Sequence, residues 1–151
     1  STEDYETAAK GADRAIELLV AARRLDPLKR DTYDQFNSCY LLKRDLEQHQ
    51  LKLNPNSAAS YFRLAIVARN VAEISRLVVL LDARDNVNQA LTKEPDNLEY
   101  LLFAARLEAD LGAVDEAREK VGRILKSNPE HREALELQER LKLGTGGFTG
   151  K

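Results

Sequence analysis

Few residues in this chain are of a type and spacing that could do chemistry. The C-terminal "GTGGFTGK" (residues 144–151) invites comparison with a phosphate-cradling loop, which needs Gly, four residues, then Gly-Lys and a hydroxyl, directly after a strand. Here Thr145 stands five before Gly150, the chain stops at Lys151, and the segment follows a helical pattern. A flexible Gly-rich tail is the better reading. His49 and His131 are the only histidines, and neither has a second ligand type at metal-binding spacing on its own helix face, so no metal is expected. Cys39 is the sole cysteine; beside Tyr40 in an apolar stretch it reads as a buried, inert thiol. The many carboxylates, as in "EADLGAVDEAREK", fall at spacings of three and four and read as solvated helix faces. No Ser–His–Asp or Cys–His signature occurs. The expectation is a protein that is not an enzyme and takes no cofactor.

Composition narrows the remaining classes. The 151 residues are 43% hydrophobic and 32% charged, with 23 Lys and Arg against 25 Asp and Glu. This is a globular balance, and it lacks the cationic surplus that nucleic-acid binding requires. No run approaches the roughly 18 apolar residues of a membrane span. A single cysteine excludes an internal disulfide and suits a reducing, cytoplasmic compartment. The chain begins with Ser and contains no Met, so it reads as an excised domain whose parent could carry other segments.

The elements announce themselves through the four prolines. Each of Pro27, Pro55, Pro95 and Pro129 follows an apolar helical run and an Asp, Asn or Glu. Pro95 and Pro129 are 34 apart, and Pro27 and Pro95 are 68 apart, twice that period. Twelve residues before three of them stands an alanine with a large apolar residue four further on: Ala15 and Leu19, Ala83 and Val87, Ala117 and Val121. A small residue one turn from a larger one lets a neighbouring helix approach closely. "YFRLAIVA" and "LLFAARLE" add bulky starts followed by Ala65 and Ala105. Gly112 fits a left-handed helix end, "DNLE" (96–99) has capping-box spacing, and the prolines suit the first turn of a new helix.

These features resemble the tetratricopeptide repeat, a 34-residue helix–turn–helix unit. Residues 98–131 match over a whole repeat through Leu101, Ala104, Ala105, Gly112, Ala117, Val121 and Pro129. Residues 11–27 and 79–95 match as second helices, 58–71 as a first helix, and 1–11 as the remnant of one. The resemblance implies an all-α, right-handed superhelical stack of three to four repeats, the middle one irregular, over residues 1–143. Pro55 departs from the period, and Lys43 and Glu47 stand where an alanine and a large apolar residue belong. The second helix there is either short or fused to the first in one continuous helix over 31–53. Six extra residues then fall near "AEISRLVV", within a helix pair spanning 57–93.

The resemblance also implies a function: a protein–protein interaction module, adaptor or scaffold, holding a partner peptide or helix in a groove lined by first helices. Projected here, one groove stripe is Ala59, Phe62, Ile66 and Arg69, and the next is Glu99, Leu102, Arg106 and Asp110. Phe62 and Leu102 could equally pack against adjacent helices. The lysines and asparagines with which some members hold a peptide carboxylate are replaced by Asp34, Phe62 and Leu102. The expected partner is another protein, contacted through an apolar anchor with Arg69 and Arg106 meeting acidic groups. The rival reading is homo-oligomerisation through the repeat ends.

Overall fold

Each proline marks the same kind of joint. The computed structural model describes residues 1–143, and the tail reading for 144–151 lies outside them. The described residues form six α-helices: α1 (Thr2–Leu25), α2 (Arg30–Leu53), α3 (Ala58–Lys93), α4 (Leu98–Leu111), α5 (Val114–Ser127) and α6 (Arg132–Lys142). Together they hold 86% of those residues, and no strand is present among them. No described helix is long and apolar enough to cross a membrane.

Four of the five connections are four residues long with proline second. In three, the last N–H donates to the first carbonyl: Ser57 to Asn54 at 3.2 Å, Asn97 to Glu94 at 3.2 Å, and His131 to Asn128 at 3.1 Å. Proline therefore occupies the second position of a β-turn, which its fixed φ suits. It does not sit in the first turn of the next helix. That turn is capped two residues on. Ser57 Oγ accepts from the Ser60 N–H at 3.2 Å, Asn97 Oδ1 from Tyr100 at 3.1 Å, and His131 Nδ1 from Ala134 at 3.2 Å. The cap of α4 is thus Asn97 rather than Asp96, and no Glu stands at its third position to complete a capping box.

The fifth connection is Gly112. Its φ of 84° is the only positive value among the described residues. The Gly112 N–H donates to the Ala109 carbonyl at 3.1 Å and the Ala113 N–H to that of Glu108 at 2.8 Å. This double closure needs a left-handed residue, which glycine adopts without a Cβ clash.

The expected helix pair over 57–93 is one helix. α3 runs unbroken for 36 residues. It contains neither Gly nor Pro, so nothing interrupts its hydrogen-bond ladder, and the six additional residues lengthen it instead of making a turn. α1 likewise absorbs residues 1–11 without a break. Of the two readings open for 31–53, α2 takes the fused one, a single helix.

Contacts gather the chain into two compact units. The first comprises Ser1–Leu25 and Lys29–Val78; the second comprises Asp26–Leu28 and the chain from Val79 onward. In the first, Ala12 and Leu19 of α1, Tyr33 and Phe36 of α2, and Val67, Ile74 and Leu77 of α3 are buried. The buried residues of α2 are Thr32, Tyr33 and Phe36, all within its first two turns. The second unit packs Leu101, Leu102, Ala105 and Ala109 of α4 against Ala117, Val121 and Ile124 of α5 and Ala134, Leu137 and Leu141 of α6. Ala105, Ala109, Ala117 and Ala134 in this core are completely buried, so these helices meet with little side-chain bulk between them.

Candidate interaction groove

In the first unit, the second half of α2 and the first half of α3 leave a groove of about 480 Å³. Arg44 and Gln48 of α2 form one bank; Leu64, Val67, Ala68, Val71 and Ala72 of α3 form the floor and the other bank. Positions 64, 68, 71 and 72 share one helix face. Val67 is buried beneath them, Leu64 and Val71 are half-buried, and Ala68 and Ala72 are exposed. Tyr61, 58% exposed, extends the stripe toward the start of α3. The groove has a local cause. Two alanines supply too little volume to fill the space beside α2, whose second half contributes no buried residue. Arg63 bridges to Glu47, which ties α3 to α2 at the groove's edge, and Arg44 reaches Asp45 at 3.2 Å.

The expected groove residues lie elsewhere. Phe62, 68% exposed, lies with the half-buried Ile66 about half a turn round α3 from Leu64 and Val71. Ala59 and Arg69 are exposed; each stands seven residues from Ile66 or Phe62, so both share that face and not the groove stripe. On α4, Glu99 is exposed, but Leu102 is only 7% exposed and belongs to the core of the second unit. Arg106 and Asp110 are tied to α6. Arg106 donates to Glu133 at 2.7 Å, and Asp110 accepts from Arg140 at 2.8 Å. Both pairs are about half exposed, so each contributes at most about 1 kcal/mol. The two projected stripes therefore fall in different units, and one of them is spent on internal contacts.

Each unit also buries a charge that the sequence reading passed over. Arg23 is 4% exposed, its guanidinium 5.8 Å from the Phe36 ring centroid, which stacks on Tyr40 at 6.0 Å. Burial pulls its pKa below the ordinary arginine value, against the opposing influence of Tyr33, Tyr40 and Glu73; the group stays protonated. Glu108 is fully buried, with Oε1 2.6 Å from Lys120 Nζ and 3.2 Å from Arg84 Nε, while Oε2 has no partner. A signal for both existed. Arg23 continues the three-and-four spacing of Ala12 and Leu19, and Glu108 that of Leu101 and Ala105. A charge on a core-facing stripe is a buried charge.

The remaining chemistry-bearing side chains do not converge on one another among the described residues. Burial pushes the Cys39 thiol above its usual range, which lowers its thiolate content at neutral pH. His49 stacks on Tyr5 at 4.4 Å. Among the described residues, no three His, Cys, Asp or Glu side chains converge to hold a metal. No protein-family model, no curated protein and no solved structure matches the chain.

Proposed function

We propose that the chain is a non-catalytic protein-interaction module of the tetratricopeptide type, holding a partner peptide or helix. The observation that carries this reading is the α2/α3 groove: an apolar floor, open to solvent, with polar groups only along its banks. Concave apolar surfaces of this size with few polar groups are where ligands and partner segments seat. The α4–Gly112–α5 unit and the recurring proline turns support the repeat assignment. The right-handed superhelical stack belongs to the same proposal.

A photo-crosslinking residue at position 68, carried by the full chain in cells, tests the docking site. A discrete partner protein attached from position 68 and not from position 132, on α6, is the expected product. Identical products from both positions, or a product from 132 alone, contradict it. Self-association through helix ends is the second reading, favoured by Leu25, 89% exposed at the end of α1. It predicts a chain-to-chain adduct instead.

A further inference from the structure

We draw no further inference here: the strongest candidate, the apolar groove between α2 and α3 floored by Leu64, Val67 and Ala68, carries none because nothing in the structure shows what covers it, Arg44 and Arg63 at its bank and edge being already paired with Asp45 and Glu47.

Discussion

Glu108→Gln is expected to destabilise the protein by about 3–5 kcal/mol, the cost of breaking a buried ion pair by removing one partner. The substitution preserves shape and removes only the charge. Lys120 and Arg84, with side chains 12% and 20% exposed, then lose their shared anion with little water available to replace it. For a chain of this size the melting temperature should fall by roughly 6–20 °C. The position is also a junction: the Glu108 carbonyl accepts the Ala113 N–H that closes the Gly112 turn, so α3, α4 and α5 all register on this residue. Replacing the whole triad by Arg84→Met, Glu108→Leu and Lys120→Met should recover much of the loss, because an apolar cluster of similar volume removes the desolvation cost. A loss below about 1 kcal/mol for Glu108→Gln by urea denaturation would place the triad among ordinary surface pairs and contradict this account of the core.

Ala105→Leu should cost about 1–3 kcal/mol by forcing extra methylenes into a helix contact that has no room for them. Ala105 is completely buried in the core that joins α4, α5 and α6, and Ala117 across from it is buried to the same degree. The control lies in α3. Ala65 occupies the equivalent place after a bulky start, yet it is exposed, so Ala65→Leu should stay within about 0.5 kcal/mol of wild type. Urea denaturation of the two variants side by side separates the positions. Equal effects would mean that the α4–α5 contact tolerates bulk.

That contrast shows where the sequence was legible. Turn chemistry is local, so the places of the proline joints and the left-handed Gly112 could be read from neighbouring residue types, whereas the same types left open whether residues 31–53 form one helix or two. Ala105 and Ala117 were readable because a whole repeat surrounds them. Ala65 carried the same local pattern without the same neighbours, and a pattern cannot say which helix will approach it. The continuity of α3 eluded the periodicity for a related reason. A repeat count places a turn by arithmetic, but a helix stops only where a residue stops it, and residues 58–93 contain no such residue.

The candidate site was less legible. Phe62 follows from projecting the repeat's groove positions onto this chain, whereas the groove arises from Ala68 and Ala72 being small beside a helix that leaves space unfilled. Leu102 fits a groove stripe and a core stripe equally well by spacing; only the approach of α5 and α6 decides for the core. Arg106 and Asp110 were expected to face a partner, but Glu133 and Arg140, about thirty residues on, engage them first. Glu108 and Arg23 were visible as charges on apolar stripes, and the assumption that helix carboxylates are solvated hid the first of them.

The interaction proposal stands or falls on partner retention by the full chain carrying Ala68→Arg, measured beside wild type and Arg132→Glu with matched thermal melts. Position 68 is exposed in the groove and position 132 is exposed on α6, so neither change should disturb folding. A long, charged side chain at 68 fills the slot between Leu64 and Ala72, and loss of a seated apolar anchor costs upward of about 2 kcal/mol of binding. The account predicts that wild type and Arg132→Glu retain the partner crosslinked from position 68, while Ala68→Arg loses it at an unchanged melting temperature. Retention by Ala68→Arg together with loss in Arg132→Glu would move the docking surface to the second unit and contradict the groove.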